Sequence, residues 1–315
     1  MTRQILLIYC LLGFSSIATA QQLPLYAQHA EFHGLINPAS LSIDYLTDGR
    51  NISIGTSFRQ QWVQLGNLSP STQVLRGEYI SPDDQSPFVF GGYIIHDKVG
   101  ITNNLGFYGR AAYVIKTAGS SLEDGGISIG LNLGIASWRL HTEQVSLNQP
   151  DDPNVVNKPA SWYPDLGFGA YWYINLGAKS HYLYVGLSAP RTFEFRGSDA
   201  NAKRIPHYYG LLGYYVPLPT SDNGFIEVST WSRYVENVPM QTSFHFKVQP
   251  EDHFWLGIGT VTDFKTKPLL LFEAGVNLPS EYQTVKIGYS YTWGTFLEHF
   301  GATHELTLAL AMSQK

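Results

Sequence analysis

Apolar residues alternate with small or polar ones along most of this chain, and this alternation limits the possible folds more than any other feature. In the clearest segment, positions 127, 129, 131, 133 and 135 are all aliphatic, whereas the positions between them are Ser, Gly, Asn and Gly. The same pattern recurs at 240–249, 284–293 and 305–312. A period of two is typical of a β-strand with one apolar face. The sequence therefore predicts an all-β protein.

About fourteen segments of this kind follow one another along the chain. Each is about as long as the 9–11 residues that a tilted transmembrane strand needs, and an even number suits a bacterial single-chain barrel. The alternation is weak in the third and eighth segments, which leaves open a count that differs by two. The segments lie near 51–62, 71–81, 87–96, 103–116, 125–139, 163–175, 181–190, 205–216, 224–236, 240–250, 252–262, 268–278, 282–293 and 303–312.

The composition indicates that the apolar faces lie against lipid. Charged residues make up 14% of the chain, compared with about 25% in an average soluble protein, so a water-facing surface is hard to build. Outside the extreme N-terminus there is no run of about 20 apolar residues, which argues against helical membrane spans, and the mean hydropathy is -0.10. A transmembrane outer-membrane β-barrel of antiparallel strands satisfies both observations.

The ionisable residues within the predicted strands mostly share the face opposite the aliphatic one. On the lipid side near the midplane, each Arg or Lys would cost about 2–4 kcal/mol. We therefore expect these side chains to point into a polar lumen or to contact a charged plug. They are Arg59, Arg76, Glu78, Arg110, Lys116, Arg233, Lys247, Glu273, Lys286 and Glu305.

The first twenty residues are typical of a secretory signal peptide. Arg3 supplies a positive charge, residues 5–14 form an apolar core, and Ala18-Thr19-Ala20 matches an A-x-A cleavage motif. We therefore predict that residues 1–20 are removed, with cleavage near Ala20/Gln21, and that the mature protein is localised to the Gram-negative outer membrane.

Residues 21–50 do not alternate and contain scattered Pro and Gly residues. They predict an irregular N-terminal segment that either enters the lumen as a plug or serves periplasmic docking, and residues 51–315 are assigned to the barrel. Because such barrels have short periplasmic turns and longer outer loops, we expect the longer connections to follow the odd-numbered strands. The longer connections are 63–70, 140–162, 191–204 and 294–302.

No motif for catalysis, a cofactor or a metal stands out. The only cysteine, Cys10, lies in the predicted signal peptide, and His29 and His33 form the only close histidine pair, without an H-E-x-x-H pattern. No G-x-S-x-G motif marks a serine hydrolase, although a Ser, a His and an acid that meet only in the folded chain stay open. His245 shares its face with Lys247 and is interpreted as a solvated lumen residue.

These absences lead to several negative predictions. We predict that the protein is not an enzyme, that it has no catalytic, cofactor-binding or metal-binding residues, and that it needs no cofactor. The net charge of -5 and the dispersed Lys and Arg residues also argue against a nucleic-acid partner.

A series of short motifs occurs in order along nearly the whole predicted mature chain. The motifs are Ile36-Asn37-Pro38-Ala39-Ser40, Phe58-Arg59-Gln60-Gln61-Trp62, Tyr182 to Pro190, His207-Tyr208-Tyr209, Phe254-Trp255-Leu256-Gly257, Ile287-Gly288-Tyr289-Ser290-Tyr291 and Gly301-Ala302-Thr303-His304-Glu305-Leu306. Together they resemble the PorP/SprF family of Bacteroidota, with its Asn-Pro-Ala segment and its Arg-x-Gln-Trp strand.

The resemblance implies an outer-membrane barrel of the type IX secretion or gliding machinery, similar in architecture to the FadL family. It implies partners besides the membrane lipids: either PorK-like and PorN-like proteins of the periplasmic ring, or a secreted adhesin with a type B C-terminal signal. The family has no catalytic residues that could be carried over. The alternative function is a FadL-like transporter of hydrophobic small molecules, which predicts an apolar lumen pocket and a lateral opening. A passive porin would need an open pore.

Overall fold

The chain forms a closed barrel of fourteen antiparallel strands in a computed structural model, as the alternation predicts. The structure describes residues 29–81, 87–117, 121–141, 161–177, 181–192, 205–219, 224–294 and 300–313. The predicted signal peptide and residues 21–28 lie outside the described residues. The strands are β1 (Ile52–Gln60), β2 (Ser71–Ile80), β3 (Phe88–Val99), β4 (Thr102–Lys116), β5 (Gly125–Leu140), β6 (Ser161–Asn175), β7 (Tyr182–Arg191), β8 (His207–Pro217), β9 (Phe225–Val235), β10 (Val238–Glu251), β11 (Phe254–Thr262), β12 (Leu269–Pro279), β13 (Gln283–Trp293) and β14 (Thr303–Met312).

The barrel closes where the first strand pairs with the last. β1 runs antiparallel to β14 in continuous register from Ile52 opposite Met312 to Gln60 opposite His304. Every other strand pairs with its neighbours in the chain. Closure leaves no exposed strand edge, which is the condition for a β-structure to span a bilayer.

The two faces of the wall differ as the period of two predicts. On β5, Ile129 and Leu133 are 57% and 64% exposed, whereas Ser128 and Asn132 are 0% and 2% exposed. The outward set is aliphatic because it meets lipid, and the inward set is small or polar because it packs inside the lumen. The predicted inward ionisable side chains follow this rule, since all of them are buried or half-buried.

The third strand, whose alternation is weak, differs most from its predicted bounds. β3 continues past the predicted end at residue 96 as far as Val99 and pairs with β4 from Thr102. Two of the three added residues, Asp97 and Lys98, are charged, and Thr72 donates a hydrogen bond to Asp97 at 2.7 Å. Backbone pairing with β2 and β4 therefore extends the strand where an apolar pattern gives no signal.

The longest connections, 141–160 and 192–206, both follow odd-numbered strands, in agreement with the expected loop asymmetry. We call the opposite end, which carries the connections after even-numbered strands, the turn end. Asn51 and Met312, which flank the barrel domain, also lie at the turn end. The predicted long connection 140–162 falls mostly within residues 142–160, outside the described residues.

Residues 29–50, which we call the luminal segment, contain only short helical elements. A 3₁₀ turn (His29–Phe32) leads into α1 (His33–Ile36), and α2 spans Ile43–Asp48. The side chain of Ser42 caps α2 by accepting a hydrogen bond from the backbone N–H of Asp44. Most of the segment is buried, including Phe32, Ala39 and Leu41 at 0–1% exposure.

Within the described parts of the chain, no helix is both long and apolar enough to cross a membrane.

Candidate functional site

The Asn-Pro-Ala motif of the luminal segment is seated on the inner face of β5, β6 and β7. Asn37 donates a hydrogen bond from Nδ2 to the carbonyl of Ala170 at 3.0 Å, and its Oδ1 accepts one from the backbone N–H of Ala39 at 2.9 Å. Ser188 on β7 donates to the carbonyl of Ile36 at 2.7 Å. The motif therefore binds the wall through its own backbone and side chain.

Two glycines on the inner face of the wall leave the space in which the motif binds. Gly130 lies opposite Gly169 on adjacent strands. A Cβ at Gly169 would lie 2.0 Å from the Oδ1 of Asn37, and one at Gly130 would lie 2.5 Å from the carbonyl oxygen of Pro38. Since such distances are well below van der Waals contact, only glycine permits this approach of segment and wall.

Arg110 on β4 binds the same stretch from the opposite side. Its Nη1 donates to the carbonyls of Pro38 and Ser40, each at 2.9 Å, and its Nη2 forms an ion pair with Glu78 on β2. Glu78 in turn accepts a hydrogen bond from the backbone N–H of Ser42 at 3.1 Å. The two wall residues thus satisfy backbone groups that the irregular segment cannot satisfy internally.

Charge pairs join the rest of the segment to strands on both sides of the barrel seam. Glu31 pairs with Arg76 on β2 at 2.6 Å and with Lys286 on β13 at 3.4 Å, and Lys286 also pairs with Asp44 of α2. Burial alone would raise the pKa of Glu31, but Lys286 and Arg76 outweigh it and lower the pKa to about 2. Glu31 is therefore a buried anion between two cations.

The segment also packs against aromatic side chains on β7. Tyr182 donates to the carbonyl of Leu46 at 2.6 Å, and the His33 ring meets the Tyr184 ring edge-on at 5.6 Å. Burial lowers the pKa of His33 to about 4, and the nearby guanidinium of Arg110 acts in the same direction, although Glu31 opposes it. His33 is therefore neutral at physiological pH.

The structure brings four of the predicted inward ionisable residues into contact with the luminal segment, namely Arg76, Glu78, Arg110 and Lys286. Sequence reasoning did not single out the side chains that hold the segment's backbone, such as Asn37, Tyr182 and Ser188. The family-like motifs did contain all three residues, but a motif alone does not say which part of the chain it contacts.

Other predicted lumen residues pair within the wall. Arg59 and Glu305 form a buried ion pair at 3.0 Å, and Arg233 forms a hydrogen bond with Gln241 on β10. Lys247 lies over the ring of Trp255, 4.1 Å from its centroid. Each of these three contacts joins two residues of the wall, and none of the three involves the luminal segment.

Ser243, His245 and Glu273 meet in the order of a hydrolase triad, an arrangement that the sequence had left open. The Nε2 of His245 lies 2.5 Å from the hydroxyl oxygen of Ser243, and its Nδ1 lies 3.0 Å from Glu273. His245 is thus bound within the wall, and its interpretation as a solvated lumen residue is wrong, because a carboxylate on β12 and a hydroxyl on its own strand bury it to 7% exposure.

Two features of the arrangement of Ser243, His245 and Glu273 argue against acyl transfer by Ser243. Ser243 is 2% exposed, and the backbone around it pairs with β9 on one side and β11 on the other. The register is continuous on both sides from Thr242 to Val248, so the described backbone N–H groups around Ser243 are used by the sheet and form no free pair that could stabilise an oxyanion.

Among the described residues, no group of three or more His, Cys, Asp and Glu side chains could hold a metal ion.

A cavity of about 600 Å³ lies beside α2 at the turn end, between the luminal segment and the strands from β8 to β14. The lining is mainly polar and charged, with three aromatic side chains. It includes Asp44, Asp48, Arg50, Tyr215, Phe225, Glu227, Lys247, Gln249, Asp252, Trp255, Asn277 and Lys286.

A family model described as "Type IX secretion system membrane protein PorP/SprF" matches residues 18–310 of the chain. No curated protein sequence matches it significantly.

Solved structures of similar fold include one described as a channel and one described as a transporter. The CymD monoaromatic hydrocarbon channel superposes with a TM-score of 0.55 at 11% identity, over 93% of this chain and 94% of its own. The toluene transporter TodX of P. putida gives a TM-score of 0.50 at 9% identity, over 89% and 94%. CdiB from Acinetobacter baumannii gives 0.42 at 10% identity over 82% of this chain, which spans 60% of CdiB. At these identities, the likeness to CymD and TodX concerns the FadL-like fold alone.

Proposed function

Because this chain belongs to the PorP/SprF family of type IX secretion system membrane proteins, we propose that it anchors a secretion or gliding complex to the outer membrane. The main support for this proposal is the way in which the luminal segment is bound inside the barrel. It is bound across the barrel by Arg76 and Lys286 on strands either side of the seam and by the hydrogen bond from its own Asn37 to Ala170 on β6. A barrel whose lumen is crossed in this way is better suited to present a fixed surface than to conduct solutes.

The expected orientation supports a docking role at the turn end. Short turns face the periplasm in such barrels and longer loops face outward, so the turn end, with α2 and the cavity beside it, faces the periplasm. Partners there would be the PorK-like and PorN-like ring proteins. A secreted adhesin with a type B C-terminal signal would instead be held on the outer side.

The proposal also includes removal of the predicted signal peptide. Cleavage near Ala20/Gln21 would place the luminal segment close to the mature N-terminus, with only residues 21–28 before it. Mass spectrometry of the intact protein from membranes would give the mature N-terminus directly.

One observation favours the alternative of a FadL-like transporter. A recess of about 520 Å³ lies on the lipid-facing side of β1–β4, where Gly77, Gly92 and Gly109 lie side by side among apolar side chains. The strands that carry these glycines remain paired in continuous register, so the recess does not perforate the wall. A hydrophobic solute would also have to displace the buried ion pairs of Glu31.

One experiment distinguishes the anchoring function from transport. A strain lacking the protein is complemented with the wild type or with an Asn37→Ala, Arg110→Met variant that loosens the luminal segment. If the proposal holds, loss of the protein abolishes secretion and surface attachment of type IX cargo, and partners purify with the wild type. Cargo that is still secreted and attached in the deletion strain would refute it, and uptake of a labelled hydrocarbon that depends on the protein would favour transport.

A further inference from the structure

The turn-end cavity holds a lysine, Lys247, that forms no ion pair with the described residues, because Glu227, which lies opposite it in the register of β9 and β10, accepts a hydrogen bond from Tyr184 at 2.7 Å instead. The ammonium of Lys247 lies 4.1 Å from the centroid of the Trp255 ring and 5.6 Å from that of Phe225. Among the described residues, no carboxylate lies within ion-pair distance of it, whereas Lys286 in the same cavity pairs with both Glu31 and Asp44. Aromatic faces attract a cation, but they leave its hydrogen-bond donors available to an anionic ligand.

Two other lining residues have unused hydrogen-bonding groups. Asn277 is 7% exposed, and its Nδ2 donates to Gln249 at 2.8 Å, yet its Oδ1 has no donor among the described residues. Arg50 donates to the carbonyl of Ser280 at 3.1 Å, and its Nε and Nη1 have no acceptor there. A buried polar group without a partner is costly, so this lining favours a ligand that offers both donors and acceptors.

The charges are also ordered along the cavity. Asp252 lies in the turn after β10, and Asp48 is exposed at the end of α2. Lys247 lies five residues before Asp252 on the inner face of the same strand, which places it roughly 15 Å further in, at about 3.3 Å per residue. Two acids and Arg50 therefore lie near the mouth, and the interior carries both signs, with Lys247 and Lys286 beside Glu31, Asp44 and Glu227.

We propose that this cavity binds an extended peptide segment of a periplasmic partner protein, with an acidic side chain of the segment paired to Lys247. The inference rests on the proposed docking function and names the site and the chemistry of the partner. A peptide backbone supplies the donors and acceptors that Asn277 and Arg50 lack, and a basic residue near the entrance matches Asp48 and Asp252. The volume lies within the range of about 300–1,000 Å³ that is usual for ligand sites.

The chemistry of the cavity disfavours two other occupants. A hydrocarbon would leave Lys247, Asn277 and Arg50 without partners. Residues 21–28 of this chain, Gln-Gln-Leu-Pro-Leu-Tyr-Ala-Gln, contain no acid and so cannot neutralise Lys247.

A photocrosslinking experiment tests the proposal in the full-length protein in its native membrane. A photoreactive phenylalanine replaces Thr284 or Pro217, which line the cavity, and replaces Gln60 at the opposite end as the control position. We expect adducts from the two cavity positions, mapped by mass spectrometry to one segment with an acidic residue, and no such adduct from Gln60. Lys247→Glu should reduce the adduct at least tenfold, and replacing the partner's acid with Lys should restore it.

Lys265→Glu, the same charge change in the exposed connection after β11, serves as the matched control and should leave the adduct unchanged. Heat-modifiable migration in gels checks that each variant folds. Three results overturn the inference: no adduct at either cavity position, an adduct with residues 21–28, or a partner segment whose charge change does not rescue Lys247→Glu. If any of these occurs while deletion of the protein still abolishes cargo secretion, the inference fails and the proposed function stands.

Discussion

Arg59 in the first strand donates a hydrogen bond to Glu305 in the last strand at 3.0 Å, across the seam that closes the barrel. The two residues are directly opposite in the register of β1 and β14, and their side chains are 5% and 0% exposed. The pair therefore lies inside the wall at the one junction that joins strands distant in sequence.

Removing one partner should weaken this closure. Glu305→Gln leaves the Arg59 guanidinium buried without its counter-ion, and breaking a buried ion pair typically costs about 3–5 kcal/mol. We expect a lower temperature for the loss of heat-modifiable migration in gels. The double variant Arg59→Met, Glu305→Leu removes both charges and should recover much of the stability. Equal melting of wild type and Glu305→Gln would contradict the assignment.

The binding of the Asn-Pro-Ala motif to the wall should depend on Gly169. Gly169→Ala would place a methyl group 2.0 Å from the Oδ1 of Asn37, so the motif must move away from the wall. Overpacking of this kind costs about 1–3 kcal/mol. Gly109→Ala, whose Cβ would meet nothing within 4 Å, is the control. We expect faster proteolysis of the luminal segment in the first variant only.

Arg110 should hold the luminal segment in the barrel. Arg110→Met removes three hydrogen bonds and leaves Glu78 unpaired, at a cost of about 3–5 kcal/mol. We expect faster hydrogen exchange at residues 38–42 and little change in the strands. Arg139→Met, which removes an exposed charge from β5, should have no such effect, and equal exchange in both variants would refute the assignment.

Acidification should release the luminal segment in two steps. The pKa of His33 falls from 6.5 to about 4 on folding, so the released state binds the proton more readily and this stabilisation is lost as the pH falls from 6.5 towards 4. The pKa of Glu31 falls from 4.5 to about 2, so its stabilisation is lost between pH 4.5 and 2. A spin label at Thr47→Cys should gain mobility over both ranges.

Two variants separate these steps. His33→Asn should remove the loss of stability above pH 4.5, and Glu31→Gln should remove the loss below it. A label whose mobility is constant from pH 7 to pH 3 would rule out both assignments.

Ser243, His245 and Glu273 should stabilise the wall and not act in catalysis. Ser243→Ala should leave cargo secretion unchanged, and the wild type should not react with a fluorophosphonate, because the serine is 2% exposed and lacks backbone donors for an oxyanion. Labelling that disappears in Ser243→Ala would show that the serine is reactive after all.

The sequence predicted the wall of the barrel well because strand periodicity is local. Ile129 and Ser128 belong to opposite faces whatever the rest of the chain does, since neighbouring residues in a strand point in opposite directions. The same argument placed Arg110 and Lys286 inside the lumen. It was weakest in β3, where residues 96–98 are polar and only pairing with adjacent strands extends the strand.

The alternation of apolar and polar residues thus determined, by itself, a count of about fourteen strands, the two faces of the wall and which ionisable residues lie inside the lumen. Only the tertiary structure decided that Glu31 lies between Arg76 and Lys286, that Asn37 is seated over Gly169, and that His245 joins Ser243 to Glu273. Such contacts depend on how the barrel closes, which brings together residues as far apart as Arg59 and Glu305, 246 positions along the chain. A local pattern carries no information about pairs at that separation.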